Sequence, residues 1–385
     1  MLQSLLGMQT DLRAWLGFAL TPGIGPQRLH RLLATFGDPA TAWGAPASAL
    51  RAAGLEPRAV EAVIKARSRL DLDAVIDTMA RLGISALTWE ETSYPRRLKE
   101  IGDPPPVLFI RGSLLDQDEW AVAVVGTRRA SAYGRQVAEA FAGDLARRGI
   151  TVVSGLARGI DAIAHRAALS AGGRTLAVEA CGLDLVYPPE HRQLALEIIA
   201  QGALLSEFPP GTKPQAQHFP RRNRLMSGLC LGVLVIEADE QSGALITAHW
   251  ALEQDREVFA VPGSVFSPLS RGTNSLIQRG EAKLVLSVDH VLEELNLSLA
   301  DVQQKARAYL PSGTAGLPIQ DEEARLLRAL SGDPQHVDEV AQQTGLPVAA
   351  VSGTLALLEL KGLVRSAGAM RYVRTQEPYL TYVTN

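Results

Sequence analysis

Ala121-Val122-Ala123-Val124-Val125-Gly126-Thr127-Arg128-Arg129 decides the fold. An uninterrupted apolar run of five residues reads as a strand buried on both faces, as in a parallel sheet. It ends in a glycine, two arginines follow, and a helix is expected from about Ser131–Tyr133. In such sheets ligands bind where the chain leaves the C-terminal end of a strand. Free N–H groups at the next helix start favour anions. Gly126 permits close backbone approach, and Arg128 and Arg129 add planar, permanently charged donors suited to phosphate. The expected ligand therefore carries phosphate.

Similar strands are expected at 121–125, 151–153, 175–178, 203–206, 232–236, 256–260 and 283–286. Helices are expected at about 133–148, 160–170, 190–200, 222–229, 242–253 and 273–279. The alternation predicts an α/β domain, an extended Rossmann-like, mainly parallel sheet with helices on both faces. Before it, residues 10–82 read as short helices, and Thr21-Pro22-Gly23-Ile24-Gly25-Pro26 resembles a helix-hairpin-helix turn. Pro104–Pro106 sit in a proline-rich connector, followed by a possible edge strand at Val107–Ile110. After it, 296–318 reads as a linker. Three helices (321–331, 336–344, 347–360) and a hairpin pairing Leu363–Arg365 with Arg371–Arg374 then give a winged-helix pattern. The expected domains are 1–90 helical, 91–295 Rossmann-like, 296–318 linker and 319–385 winged helix.

The net charge of −3 conceals an asymmetry. Residues 121–230 hold 13 Lys and Arg against 8 Asp and Glu, leaving −8 for the remainder. A local positive balance steers polyanions regardless of the total. By contrast, 319–374 hold 6 basic and 7 acidic residues, and the 347–360 helix has no Lys or Arg. Duplex affinity comes largely from phosphate neutralisation, so this module should bind duplex DNA weakly or not at all.

Three further turns bear on the site. Ser154–Asp161 presents Arg158 at a helix mouth. Asp161 and His165, four residues apart, are expected to form a structural pair that orients the turn. Phe208–Arg224 carries Lys213, Phe219 and the cluster Arg221, Arg222, Asn223, Arg224. An aromatic beside arginines on a long loop suits stacking of an unpaired base. In Glu237–Thr247, Ser242 can cap a helix, and both a scaffold role and a ligand contact remain open. No G-x-x-x-x-G-K-[ST] or G-x-G-x-x-G occurs, which argues against a P-loop NTPase or a nicotinamide cofactor. No catalytic residue, metal or cofactor is expected. A phosphoribohydrolase would need Glu237 or Asp161 as its carboxylate. A transcription regulator would need the poorly charged third helix of the wing domain. Two cysteines without metal or disulfide spacing, no apolar run of about 18 residues and a poor N-terminal secretion signal lead us to expect a cytoplasmic protein without membrane partners.

Six ordered motifs resemble the DNA-processing protein A (DprA/Smf) family. They are Val124-Val125-Gly126-Thr127-Arg128, Ser154 through Ala162, Gly182-Leu183-Asp184 with Tyr187-Pro188, Phe219 through Arg224, Ser242-Gly243 with Thr247-Ala248, and Val258 through Gly263. They span about 93–290. The resemblance implies a non-catalytic single-stranded DNA binder that protects incoming DNA in natural transformation and loads the RecA recombinase. Together with the residues themselves it leads us to expect Arg128, Arg158, Arg221, Arg222 and Arg224 to line a positive groove at the C-terminal edge of the sheet, with Phe219 receiving a splayed base and further DNA contacts at Gly126, Thr127, Arg129, Gly182, Lys213 and Asn223. It also implies a homodimer formed near Leu276, Ile277 and Leu284. Thr127 stands where the family usually has serine. Ala216 and Gln217 stand where a lysine is often found, with Lys213 as a possible substitute, and an extra residue falls near Glu281.

Overall fold

The computed structural model describes residues 12–297, 321–330, 335–360, 364–366 and 370–374. Its main feature is a nine-stranded sheet. The strands are β1 (Ile84–Thr88), β2 (Val107–Gly112), β3 (Ala121–Val125), β4 (Thr151–Ser154), β5 (Thr175–Val178), β6 (Ala203–Ser206), β7 (Gly232–Val235), β8 (Glu257–Ala260) and β9 (Lys283–Leu284). Their spatial order is β1-β2-β6-β5-β4-β3-β7-β8-β9. The run from β6 to β9 is parallel, while β2 joins β6, and β1 joins β2, antiparallel.

The apolar runs follow the period of two expected of strands. Ala121, Ala123 and Val125 join one apolar cluster, and Val122 and Val124 the other. Helices cover both faces, so these strands are buried throughout. β3 lies between β4 and β7. The chain thus leaves β3 towards β4 and later returns to β7 on the other side. A crevice opens where the winding direction reverses, between the C-terminal ends of β3 and β7.

Two expectations change. The strand at 107–110 is not an edge, because β1 pairs with it from Ile84↔Arg111 to Thr88↔Val107. β1, which no sequence pattern announces, begins one residue after the left-handed Gly83 cap that ends the helical segment. β9 is two residues long, where four were expected.

The helices at 12–19, Pro26–Phe36, Pro39–Gly44, Ala47–Ala52, Pro57–Arg69 and Leu72–Leu82 precede the sheet. Their Trp15, Leu29 and Leu32 belong to the same apolar cluster as Leu108, Ala121 and Leu204 of the sheet. By compactness the chain divides into Met1–Tyr309 and Leu310–Asn385. The expected boundary near residue 90 leaves β1 on the helical side although it pairs with β2 of the sheet, and we propose that the helices before β1 and the sheet share one core. The second unit has helices Asp321–Ala329, Val337–Thr344 and Val348–Leu360 and a sheet of β10 (Gln335–His336), β12 (Arg371–Arg374) and β11 (Val364–Ser366), in that order. Leu326, Val340, Leu355 and Val364 are in its core. This is the expected winged helix, with β10 as an added strand. From residue 298 onward the expected 296–318 linker lies outside the described residues, as does the hairpin turn around Gly368.

One polar network pins the N-terminal ends of the parallel strands. The buried Asp118 carboxylate accepts from Thr151 Oγ1 at 2.8 Å, from Leu115 N at 2.9 Å, and from Arg174 Nε and Nη2 at 3.0 and 2.8 Å. Removing one partner leaves a buried charge uncompensated. Arg174→Ala should therefore lower the unfolding free energy of this unit by about 3 kcal/mol in urea denaturation, and an unchanged midpoint would contradict it.

Candidate nucleic-acid interface

A cavity of about 750 Å³ fills the crevice. Its walls come from the turn after β3, the start of the His218–Leu229 helix and the start of the Gly243–Glu253 helix.

The β3 turn is fixed by backbone contacts. Thr127 N donates to Glu237 O at 2.7 Å, and Arg129 N donates to Thr127 Oγ1 at 3.2 Å. The threonine hydroxyl thus supports the turn as a serine would. A Cβ on Gly126 would lie 2.6 Å from Ile160 Cγ1 and 2.9 Å from Glu237 O, so only glycine fits. Thr127 is buried, whereas Arg128 and Arg129 are exposed.

The following helix start does not await a ligand. Ser131 caps it by accepting from Gly134 N at 3.0 Å. The Glu237 carboxylate in turn accepts from Ser131 N at 3.0 Å and Ser131 Oγ at 2.6 Å. A Cβ on Gly134 would sit 2.1 Å from Glu237 Oε2. An internal carboxylate therefore occupies the position that the sequence reading assigned to phosphate. In the linear sequence Glu237 belongs to the turn before Ser242 and is a candidate hydrolase carboxylate, with nothing to mark it as a partner of Ser131. Its reach of 106 positions along the chain follows from the β3–β7 pairing.

The arginine cluster divides because its helix starts at His218, not 222. Phe219 and Pro220 then fall in the first turn, where proline is tolerated. Successive residues fan around the axis. Arg222 and Asn223 turn to the cavity, whereas Arg221 and Arg224 turn to Glu207. Arg224 is buried, with Nη2 2.6 Å from Glu207 Oε2 and Nη1 donating to Asp103 O at 2.6 Å. It is a structural ion-pair residue and not part of the groove. Arg221 pairs with the same carboxylate at 2.9 Å but stays more than half exposed.

Arg222 is fully enclosed at the cavity floor. Its Nη1 donates to Val178 O at 2.5 Å, and its Nε has no partner among the described residues. A Cβ on Gly155 would lie 1.9 Å from Nη1, so the guanidinium rests on that glycine. Burial lowers the Arg222 pKa, while the charges of Asp161 and Glu179 raise it. Burial raises that of Asp161, against Arg222 and the N–H groups of Ala157 and Gly155. Glu179 is pushed up to about 8 by burial, against the charge of Arg222 and bonds from Tyr187 and Ala180.

Asp161 does orient its turn, accepting from Gly155 N at 3.2 Å and Ala157 N at 3.3 Å. His165 does not join it. The ring contacts Thr175 Oγ1 at 2.7 Å, and burial with nearby positive charge holds its pKa down at about 3. Arg158 lies outside the cavity wall, with Nε 2.5 Å from Glu190 Oε1. Gly182 is buried under the next loop: its N donates to Thr212 O at 2.9 Å, and a Cβ would lie 2.5 Å from Pro209 O. It is a packing position. Lys213 is exposed beside the wall residues Pro214 and Gln215.

At the mouth, the Arg128 guanidinium stands 5.3 Å from the Phe219 ring centre. The ring of Tyr187, a motif residue in the sequence, lies 5.6 Å from that of Phe219, centre to centre, at a tilt of 57°. Ser242 caps its helix as expected, accepting from Ala244 N at 3.3 Å, and Asn223 Nδ2 donates to Gly243 O at 3.2 Å. Thr247 lines the cavity, and its buried hydroxyl has no partner among the described residues. The turn is thus both scaffold and wall.

Of the residues expected in a dimer interface, Leu276 is buried in the core cluster, Ile277 is half-buried, and Leu284 is 43% exposed. Among the described residues, no group of His, Cys, Asp or Glu is arranged to hold a metal, and no helix is long and apolar enough to cross a membrane.

A family model described as DNA recombination-mediator protein A matches residues 85–296, and one described as DprA winged helix domain matches 311–370. The chain belongs to the DprA/Smf family. Protein Smf of Synechocystis is 37% identical over 94% of this chain and 98% of its own length. The Bacillus subtilis DNA processing protein DprA is 47% identical over 58% of this chain and 75% of its own. Among solved structures, DprA of Streptococcus pneumoniae superposes with a TM-score of 0.65 at 36% identity, covering 73% of this chain and 97% of that one. DprA of Helicobacter pylori, described for its single-stranded DNA binding mode, gives 0.51 at 31% identity over 56% and 97%. The comparison agrees with the DprA-like motifs around the cavity.

Two substitutions test the cavity floor. Gly155→Ala should cost about 2 kcal/mol of stability by displacing Arg222, read by urea denaturation. For Glu179, the folded chain holds a proton that the unfolded chain releases near 4.5. The group therefore lowers stability as pH rises from 4.5 to about 8, by up to about 1.4 kcal/mol per pH unit. Glu179→Gln should gain on the parent across that window, and a constant difference would contradict the assignment.

Proposed function

We propose that the chain is a non-catalytic single-stranded DNA-binding protein that protects DNA entering the cell in natural transformation and loads RecA recombinase onto it. The observation that carries this reading is the Arg128–Phe219 pair, a guanidinium 5.3 Å from an aromatic ring at the mouth of a polar-floored cavity. Arg128 suits a phosphate, and the ring faces of Phe219 and Tyr187 suit an unpaired base. In a duplex the bases are already stacked, so double strands should bind less well. The described binding mode of the Helicobacter pylori relative supports the choice of ligand.

Arg129, Asn223 and Arg222 complete the proposed contact set with Gly126 and Thr127, with Lys213 and the exposed part of Arg221 on its border. Arg158 reaches the strand only by leaving Glu190. Glu237 is committed to the Ser131 cap, which weakens a phosphoribohydrolase reading. RecA loading rests on the recombination-mediator family. We also propose a homodimer through the face bearing Ile277, Leu284 and the 65%-exposed Leu286. Two cavities on one strand would add avidity. A cytoplasmic location accompanies this role.

Arg128→Ala should weaken binding of a single-stranded oligonucleotide about tenfold and reduce the slope of log affinity against log salt by about 0.7, measured by fluorescence anisotropy. Phe219→Ala should cost about 1–3 kcal/mol of binding with less change in salt slope. Arg224→Ala should instead destabilise the fold. Equal affinity of the Arg128 variant at moderate salt, or tighter binding to duplex of the same length, would overturn the reading.

A further inference from the structure

The loop after β8 carries the most exposed large apolar side chain among the described residues. Phe266 is 91% exposed and its neighbour Val265 75%. A phenyl ring in water on a floppy loop would mean little, but this loop is held at several points. Tyr133 Oη donates to Pro262 O at 2.8 Å. The Asn274 side chain accepts from Gly263 N at 3.1 Å and donates to Gly263 O at 3.0 Å. Ser264 accepts from Phe266 N through its hydroxyl and from Ser267 N through its carbonyl. The ring is therefore presented by an ordered turn and contributes nothing to the core. Such presentation lowers the ordering cost of a contact.

Its position follows from the topology. β8 is parallel to β7, so the loop leaves the same edge of the sheet as the cavity. Gly272 N, at the start of the next helix, donates to Ala238 O at 2.9 Å, beside the cavity residue Asp239. Tyr133 lies in the first turn of the helix that follows Arg128 and Arg129, and is itself 45% exposed. Arg129, Arg135 and Arg271 lie along this stretch, exposed and without a carboxylate partner among the described residues.

From this continuity we propose that Phe266 is a second stacking platform for the same single strand, reached past Arg129, Tyr133 and Arg135, with Arg271 taking phosphate beside it. The inference rests on the proposed DNA-binding function and extends it. A strand too short to leave the cavity would not touch Phe266, whereas a longer one would cover both sites.

The test uses the full chain with oligothymidylates of about 6 and about 20 nucleotides, bracketing the usual range of single-strand site sizes. Phe266→Ala should weaken binding of the longer strand about fivefold or more and leave the shorter within about twofold. Phe266→Trp should retain affinity and add emission, relative to the parent, that the longer strand quenches and the shorter does not. Unchanged binding of the longer strand by Phe266→Ala, or unquenched added emission, would overturn the proposal. So would an emission change with protein concentration alone, which would mark the ring as a contact between copies of the chain. If the parent binds neither oligonucleotide, the DNA-binding function fails and this extension falls with it. Loss confined to Phe266→Ala on the long strand would support both.

Discussion

The candidate site depends on one enclosed cation. Arg222 lies on the backbone of Gly155, bonds to the carbonyl of Val178, and faces the carboxyl groups of Asp161 and Glu179, the second of which keeps its proton up to about pH 8. Burial disfavours ionisation of each of these groups, and their mutual attraction opposes it. Such an arrangement tolerates little displacement, since a buried charge without its partner is costly. It therefore joins the turns after β4 and β5 to the helix that follows β6. The exposed Arg128 and the half-buried Phe219 can face each other because this floor holds their supports in place.

The architecture was readable because burial on both faces leaves a plain mark. Val122–Val125 and Val233–Val235 are apolar without interruption, and the glycines and caps between them punctuate the elements. The strand β1 was not readable, because Ile84-Ser85-Ala86-Leu87-Thr88 is short, half-polar and follows directly on a helix. The winged helix was legible from its helix spacing and hairpin, while the two-residue β10 offers no pattern to detect.

The site was legible by composition and less so by direction. Arg221, Arg222 and Arg224 look alike in a linear sequence. Which one meets the cavity is set by the helix starting at His218 and by Glu207, fourteen to seventeen positions upstream. Gly182 shows the same limit: a motif glycine marks either close ligand approach or close chain approach, and here Pro209 and Thr212 supply the chain. Tyr187 lines the cavity because the loop after β5 carries it beside Phe219, a contact across 32 positions that no local pattern encodes.

The Glu237 carboxylate at the Ser131 cap has a consequence for selectivity among anions. A vacant helix start beside two arginines would attract inorganic phosphate and free nucleotides, which abound inside cells. Here the protein neutralises its own dipole, so that end of the helix offers small anions no reward. On the proposed function, the strand is drawn by the outward rim, where Arg128 and Arg129 are exposed and a polymer would engage several points together. On the proposed function, an acidic side chain that need touch neither ligand would favour a strand over the soluble pool.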